Sequence, residues 1–314
     1  MTAPLQPVFT VDSYLSGVRI DSFLAKHLRN YTTWRLHRMV AAGLVRVNDL
    51  PAIRTQRVYR GQTVSVRLVE PPDKLLDPDG TAVRLVYEDP WLIVVDKPAG
   101  MVAHPVGKFQ NGTLTNVLQN HLDQLTPAPG LLRAGIVHRL DRMTSGLMVV
   151  TKEHHTHRLV SEDFQNGRLK KSYVALVQGR VPFDERIIEL KIGQLPGGQS
   201  ILMSAKSDAI RQRAAKTRVT VLQRTQRISV VACQPYTGRN HQIRVHMAEI
   251  GHPVLGDEFY GHRGTVRAVS TDERSHPSQC RHALHAARLE FQHPILKTVL
   301  TFMAQPPPDF LSCL

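Results

Sequence analysis

The sequence contains little cysteine, and its three cysteines, Cys233, Cys280 and Cys313, are widely spaced. None belongs to a pair with the spacing of zinc ligands or of a redox motif, so a reducing cytoplasm is the expected location. No apolar run approaches the roughly 18–20 residues that cross a bilayer. Residues 1–6 lack the basic flank and apolar stretch of a signal peptide. Neither membrane insertion nor secretion is expected.

Acidic residues are also scarce relative to basic ones. Twenty-six Asp and Glu stand against 40 Lys and Arg, which gives a formal net charge of +14 and a pI near 10.1. Such an excess favours a polyanionic partner, because each neutralised phosphate releases condensed counterions. A basic protein with no nucleic-acid role is the alternative. The hydrophobic fraction of 42% suffices for a sizeable core and excludes a mainly disordered chain.

The positive charge is concentrated near the start of the chain. Residues 19–67 hold ten Lys or Arg and only two acids, which accounts for more than half of the excess. Apolar residues over 20–28 recur at helical spacing, and residues 44–49 and 64–68 are typical of short strands. The pattern predicts a compact α/β module with a basic surface.

A second helix in this module carries candidate binding residues. It is predicted to begin at a Thr32 or Thr33 cap and to end at Gly43. Its apolar stripe faces the core, so Arg35 and Arg38 are expected to project from the other side. Arginines along one side of a small module suit a polyanionic ligand.

A polar, proline-containing stretch separates this module from the rest of the chain. We predict a module at residues 1–69 with its core at 18–67, a linker at 70–82 and a larger domain at 83–314. In the larger domain, predicted strands are residues 92–96, 134–138, 147–151 and 169–178, and a predicted helix over 159–164 stops at Gly167. Strands dominate without a regular βαβ repeat. The predicted fold class is therefore α+β, with a mixed or antiparallel sheet and flanking helices.

A polar segment, His138–Leu147, lies between two of these strands, where catalytic loops are common. It carries Asp141 between Arg139 and Arg142, and nearby positive charge lowers the pKa of a carboxyl group and keeps it ionised. Small residues at 144–146 would allow close approach of a ligand backbone. From these residues alone, a catalytic carboxylate and a salt-bridged turn that merely joins strands are equal alternatives.

A second polar cluster covers residues 236–246. Asn240 is predicted to cap a helix that ends at Gly251. On that helix Arg244 has a small neighbour one turn away, so its guanidinium could reach across a cleft and form a bidentate pair with an acid such as Asp141. A surface arginine on an amphipathic helix is the alternative.

These two clusters and three further segments follow the order of motifs in one known family. His138–Leu147 resembles the signature of the RluA-type pseudouridine synthases, and the resemblance spans residues 84–303. Residues 18–67 resemble the ribosomal-S-four-type RNA-binding module that often precedes that catalytic domain. The other matching segments are Asp96–Gly100 with His104-Pro105, Lys171–Val177, Thr237–His246 with Gly251–Pro253 and Gly256-Asp257, and Leu284–Ala286 with His293-Pro294.

The resemblance implies an isomerase that converts uridine to pseudouridine in structured RNA. It implies that Asp141 is the catalytic aspartate, that Tyr173 stacks on the uracil and assists proton removal, and that Arg244 forms an ion pair with Asp141. Arg139 matches the arginine that replaces the flipped base in the RNA. The other residues expected to contact the substrate RNA are Arg142, Lys97, Arg239, His241, Arg35 and Arg38.

The same resemblance bears on cofactors and partners. Because the broken and the formed bond both lie within one nucleotide, the reaction requires no cofactor and no metal. Large-subunit ribosomal RNA is the favoured substrate, and transfer RNA is the alternative. We expect a cytoplasmic monomer that does not bind DNA, since no helix-turn-helix or zinc module is apparent.

The sequence departs from the family pattern at two positions. Asn240 stands where Thr or Ser is usual, and Asp49 stands where Gly often follows Asn. An insertion at residues 265–279 is interpreted only as a polar loop.

Two other functions are alternatives to the isomerase. His154, His155 and His157 suggest a metal-dependent hydrolase, but adjacent histidines on a helix point in different directions and no carboxylate follows at ligand spacing. The second rival is a non-catalytic RNA-binding or ribosome-assembly protein. The joint presence of Asp141 and Arg244 with the family's tyrosine argues against it.

Overall fold

The computed structural model describes residues 6–29, 31–67, 76–107, 109–126, 132–196, 202–267 and 281–311. The chain divides into two compact units. The first comprises Met1–Val94, Val102–Val137 and Val149–Ser161, and the second comprises Val95–Met101, His138–Met148 and Glu162–Leu314. Within the described ranges, no helix has both the length and the hydropathy needed to span a bilayer.

The first unit begins with a small antiparallel sheet and two helices that share one apolar core. The elements are β1 (Val8–Thr10), α1 (Ile20–His27), α2 (Thr33–Ala41), β2 (Val45–Val47), β3 (Leu50–Pro51) and β4 (Thr63–Val66). The strand order is β1-β4-β2-β3, and every pair is antiparallel. Both helices and both strands predicted here are confirmed.

Local sequence explains the two helices. In α1, the side chains of Ile20, Phe23 and Leu24 are fully buried, as their spacing predicts. In α2, the hydroxyl of Thr32 accepts the backbone N–H of Arg35 at 3.3 Å. This bond satisfies one of the unpaired N–H groups at the helix start and confirms Thr32 as the N-cap.

The turn between β2 and β3 explains why Asp is tolerated where the family often has Gly. Val47 pairs with Leu50, so the loop consists of Asn48 and Asp49, whose φ angles are 46° and 63°. Two-residue hairpin turns of this kind need positive φ at both positions, and Asn and Asp adopt it more readily than other non-glycine residues. The departure at Asp49 therefore leaves the turn intact.

The first unit continues through β5 (Arg84–Glu88), β6 (Leu92–Lys97), α3 (Leu114–Gln124), β7 (Gly135–Ile136), β8 (Ser145–Thr151) and α4 (His154–Gln165). The end of β6, the start of β8 and the end of α4 belong to the second unit. Residues 92–95 are fully buried, as predicted for β6. The strand predicted over 134–138 spans only two residues, because the chain leaves the pairing with β8 to enter the polar segment that follows.

The second unit contains most of the sheet. Its further elements are β9 (Lys170–Gln178), β10 (Glu185–Gln194), β11 (Met203–Ser204), β12 (Ile210–Arg224), β13 (Ile228–Pro235), α5 (Gln242–Glu249), β14 (Leu284–Gln292) and β15 (Val299–Met303). The order is β11-β10-β12-β13-β9-β14-β8, with β15 beside β14. All pairs are antiparallel except β14 with β8, which is parallel. This mixed sheet confirms the α+β class.

The predicted division into 1–69, 70–82 and 83–314 stays a prediction. Residues 70–75 of the linker lie outside the described residues, and so does the loop predicted at 265–279 from residue 268 onward.

Candidate active site

Asp141 lies in a turn that is supported from within the protein by Lys97. The carbonyl of Asp141 accepts the N–H of Thr144 at 3.0 Å. Lys97 is completely buried at the end of β6. Its Nζ donates to the carbonyls of Met101 at 2.9 Å, Pro98 at 2.8 Å and Arg142 at 3.2 Å.

The burial of Lys97 corrects one expectation. Burial lowers the pKa of Lys97 to about 7, although the charge of Asp141 raises it. All three ammonium donors have carbonyl partners inside the protein, so RNA cannot reach this group. The prediction that Lys97 contacts RNA is wrong, and Lys97 instead fixes the backbone next to Asp141.

Side chains just before and within β14 hold the other end of the turn. The hydroxyl of Thr144 lies 2.7 Å from Nε2 of His282, and that of Ser145 lies 2.9 Å from Nδ1 of His285. Arg281 also donates to the Ser145 hydroxyl, at 3.1 Å. Burial lowers the pKa of His282 to about 3, so this imidazole is neutral. Sequence reasoning assigned no role to Arg281 or His282, because contacts across more than 130 residues leave no local signal.

The small residues at 144–146 serve the fold rather than a ligand. Gly146 has a φ of +116° and lies beside Ala286 of β14, where a Cβ would overlap the Ala286 backbone. Thr144 and Ser145 are buried. The close approach predicted for this stretch is therefore made by the protein's own strand, and the expectation of an approaching ligand backbone is wrong.

Arg244 on α5 joins two carboxylates. Its Nη1 donates to Oδ2 of Asp141 at 3.1 Å, while Nε and Nη2 donate to the two oxygens of Asp257 at 2.7 and 2.8 Å. The structure thus contains the predicted contact with Asp141, but the bidentate partner is Asp257, which sequence reasoning missed. The side chains of Arg244 and Asp257 are 2% and 1% exposed, against 23% for Asp141. Asp141 is therefore the accessible end of a buried charge network.

The charges of this network keep Asp141 ionised. Burial alone would raise the pKa of Asp141, but the neighbouring His241 and the charge of Arg244 outweigh burial and lower the pKa to about 2. The sequence attributed this ionisation to the neighbouring Arg139 and Arg142. Both are exposed to solvent, which screens their charge.

The start of α5 differs from the prediction. The N-cap is His241, in the left-handed conformation with a φ of 53°, and no side chain caps the helix. The expectation that Asn240 is the cap is therefore wrong. Instead, Oε1 of Gln242 fixes the preceding loop by accepting the N–H of Arg239 at 3.0 Å and the hydroxyl of Thr237 at 2.7 Å.

The imidazole of His241 lies between Asp141 and Tyr260. Its Nε2 is 3.9 Å from Oδ2 of Asp141, and its Nδ1 is 2.6 Å from the Tyr260 hydroxyl. That hydroxyl accepts the N–H of Met203 at 3.0 Å, so we assign its own proton to Nδ1 of His241. Burial lowers the pKa of His241, although Asp141 raises it, and the imidazole is neutral at pH 7. Its remaining N–H, on Nε2, then points toward the carboxylate.

Tyr173 lies on β9, between Cys233 of β13 and Ala286 of β14. Its side chain is buried. Burial raises the pKa of the Tyr173 hydroxyl, and the charge of Asp141 raises it further. The phenol therefore stays protonated, and Tyr173 is a neutral aromatic ring.

The remaining predicted contacts lie at the protein surface. Arg139 and Arg142 are exposed in the turn, and Arg239 is half-buried in the loop before α5. Arg35 and Arg38 belong to the first unit and are exposed on α2, where each guanidinium lies over an aromatic ring, 4.6 and 4.8 Å from its centroid. The structure thus brings together Asp141 with Arg244 and His241, and it leaves the arginines accessible.

The histidine cluster on α4 was the one metal-site candidate in the sequence. His154 and His155 are exposed, and Nδ1 of His157 lies 3.3 Å from the Thr151 hydroxyl. Among the residues with described positions, no three His, Cys, Asp or Glu side chains are grouped so as to hold a metal ion.

Comparisons with known proteins identify the same family that the sequence motifs resemble. A family model described as RNA pseudouridylate synthase matches residues 91–249. Ribosomal large subunit pseudouridine synthase D of Neisseria meningitidis is 40% identical over 96% of this chain and 79% of its own. The protein of that name in Nitrosomonas europaea is 34% identical over 97% of this chain and 86% of its own. The solved structure of Human RNA Pseudouridylate Synthase Domain Containing 1 gives a TM-score of 0.57 at 25% identity, covering 75% and 89% of the two chains.

The chain therefore belongs to the RNA pseudouridine synthase family. It is an isomerase that converts uridine to pseudouridine in RNA, as the motifs implied. The family model covers Asp141, Tyr173 and Arg244. Asp257 and Tyr260 lie beyond the matched range.

Proposed function

We propose that Asp141 is the carboxylate that opens the glycosidic bond of the target uridine. The observation that supports this role is its position as the accessible, ionised end of the buried Arg244–Asp257 pair. In the reaction the bond from C1′ to N1 breaks and a bond from C1′ to C5 forms, while the C5 proton is lost and N1 gains one. Asp141 acts by attacking the sugar or by abstracting a sugar proton, and both routes need the ionised form.

The neighbouring groups are proposed to bind and orient. Arg244 aims the carboxylate, and preorganised geometry of this kind lowers the barrier. The neutral ring of Tyr173 stacks on the flipped uracil. This stacking contributes about 1–3 kcal/mol and offsets part of the few kcal/mol that base flipping costs. Arg139, exposed beside the carboxylate, fills the gap left in the RNA.

We propose large-subunit ribosomal RNA as the substrate, on the basis of the names of the relatives from Neisseria meningitidis and Nitrosomonas europaea. The basic module at residues 1–69 would bind the RNA outside the reacting nucleotide. We also propose that the enzyme is a monomer. Activity on ribosomal RNA supports a cytoplasmic location.

The experiment measures tritium release from RNA labelled at C5 of uridine. Unmodified large-subunit ribosomal RNA should release tritium with the wild-type enzyme and with Asp208→Ala, a matched loss of an exposed carboxylate in the second unit. Asp141→Ala should release none. Activity that persists in Asp141→Ala would overturn the catalytic role. Release from transfer RNA and not from ribosomal RNA would overturn the proposed substrate. The proposed reaction would still be supported.

A further inference from the structure

The second unit contains a basic groove that the catalytic residues do not use. It has a volume of about 860 Å³, and the side chains that matter here are Lys170, Lys171, Arg213, Arg239, Arg288 and Tyr236. They come from the start of β9, from β12, from β14 and from the loop before α5. Asp141, Tyr173 and Arg244 are absent from the groove's lining.

The charge of the groove suits a phosphate. Among its described lining residues are five basic side chains and one acid, Glu290. Glu290 is already occupied, because it pairs with Lys170 at 2.8 Å and with Arg288 at 2.6 Å. Arg213 is exposed and has no acidic partner within the described part of the chain. Burial lowers the pKa of Arg239, and repulsion by the charge of Arg213, which lines the same groove, lowers it further. An anion between them would relieve that repulsion.

The groove also offers a surface for a base. Tyr236 is 49% exposed, although large aromatic rings are usually buried. The Nζ of Lys216 lies 5.8 Å from its ring centroid, and Glu189 pairs with this ammonium at 2.6 Å. Arg239 donates its Nε–H to the carbonyl of Ala214 at 3.0 Å, which holds its guanidinium in place. An accessible ring beside arginines is the combination that binds single-stranded nucleic acid, because bases stack on rings while phosphates pair with cations.

The groove is linked to the catalytic turn through Phe164, which also lines it. The Phe164 ring stacks on His138 at 5.6 Å between centroids, with an interplanar angle of 9°. It also packs against Gly238, where a Cβ would come within 3.2 Å of the ring. Tyr236 and Gly238 belong to the loop that delivers His241 to Asp141. A strand of RNA in the groove would therefore lie along the same loop as the reacting nucleotide.

We propose that this groove is a second nucleotide subsite, which holds an unpaired nucleotide of the substrate RNA outside the target uridine. Tyr236 stacks on its base, and Arg213 and Arg239 bind its phosphate. The inference rests on the RNA-modifying activity and extends it to how the RNA strand is held. The subsite recognises any base, since stacking on a ring requires no particular hydrogen-bond pattern.

The test uses the full chain and a fluorescein-labelled 12-nucleotide oligouridylate, with binding followed by anisotropy at several salt concentrations. Tyr236→Ala should weaken binding about tenfold, and Tyr236→Phe should restore it. Arg213→Ala should weaken binding and reduce the salt slope by about 0.7, the value for one phosphate contact on a single strand. The matched control is Arg227→Ala, which removes an exposed arginine at the opposite end of β13.

Each outcome decides the proposal. Loss of affinity in Tyr236→Ala and Arg213→Ala, with Arg227→Ala unchanged, supports the subsite. Equal losses in Arg213→Ala and Arg227→Ala overturn it, because non-specific charge then explains binding. Unchanged affinity in Tyr236→Ala also overturns it. Tritium release by the wild-type preparation from unmodified large-subunit ribosomal RNA shows separately whether the proposed function holds, since a failed subsite leaves that release intact.

Discussion

The buried pair between Arg244 and Asp257 predicts a specific effect of Asp257→Asn. The carboxylate accepts two N–H groups of Arg244, and its Oδ1 also accepts the backbone N–H groups of Phe259 at 2.9 Å and Tyr260 at 3.1 Å. An amide can keep these Oδ1 contacts, but its NH₂ group then faces the Nε–H of Arg244. The substitution therefore removes one charge and opposes two donors in a site that is 1–2% exposed.

The magnitude follows from the cost of a buried unpaired charge. Breaking a buried ion pair costs about 3–5 kcal/mol. Arg244 keeps Asp141 as a second partner, so we expect the lower end, about 3 kcal/mol. For a chain of this size, that corresponds to a decrease in Tm of about 5–10 °C. Arg244 would also shift toward its remaining partner, and displacement of a catalytic group by about 1 Å costs about 100-fold in rate.

The assays are thermal unfolding and steady-state tritium release for Asp257→Asn. We expect kcat to fall about 100-fold while KM changes little, because the variant alters the aim of Asp141 and leaves the RNA surface untouched. Asp123→Asn, a carboxylate on α3 of the first unit that accepts a bond from Gln119, is the control for loss of one charge elsewhere. An unchanged kcat, measured at a temperature where the variant is folded, would refute the role of Asp257 in positioning Arg244.

Three further predictions concern single side chains. Lys97→Met removes the ammonium that donates to the carbonyls of Pro98, Met101 and Arg142, and should lower both Tm and kcat, while RNA affinity measured by anisotropy stays at the wild-type value. Tyr260→Phe removes the hydroxyl that fixes the His241 tautomer, so its imidazole NMR signals should shift and kcat should fall several-fold with KM unchanged. Arg35→Ala and Arg38→Ala should each reduce the slope of log affinity against log salt by about 0.7–0.9 for the substrate RNA, with no effect on kcat.

The acid stability of the enzyme follows from the pKa of Asp141. Its folded pKa, about 2, lies below the usual value of 3.8. A depressed carboxyl pKa contributes stability above the unfolded value, and the contribution disappears as the pH falls from about 4 toward 2. Asp141→Asn should therefore lose less stability than the wild type between these pH values, by about 2 kcal/mol. Urea unfolding at pH 5 and at pH 2.5 measures the difference, and parallel losses in the two proteins would contradict it.

The elements that sequence predicts well are those set by neighbouring residues. The burial of Phe23 and Leu24 on α1 and the Thr32 cap on α2 depend only on spacing and cap chemistry within one or two turns. The hairpin at Asn48 and Asp49 depends on two residues that tolerate positive φ. Such local preferences are visible in the sequence because the interacting groups are adjacent in the chain.

The contacts that sequence missed are tertiary and involve buried charge. Lys97 was predicted to contact RNA, yet its side chain is buried and three carbonyls replace its solvation. Asn240 has the chemistry of a cap, but the helix starts after His241, whose left-handed backbone costs about 1–2 kcal/mol. No local preference of these residues predicts that strain, because the contact that holds the His241 side chain comes from Tyr260, 19 residues further along the chain.

Asp141, the proposed catalytic carboxylate, is held in part by residues that lie outside the matched family range. That range ends at residue 249. Arg244 takes its orientation from Asp257, and the turn that carries Asp141 is anchored through Thr144 to His282. A carboxylate that must stay ionised while partly desolvated needs several fixed donors, and one motif is too short to supply them all. Later segments of the chain supply these donors, so variants at 257 and 282 should behave as active-site variants although both positions lie outside the matched range.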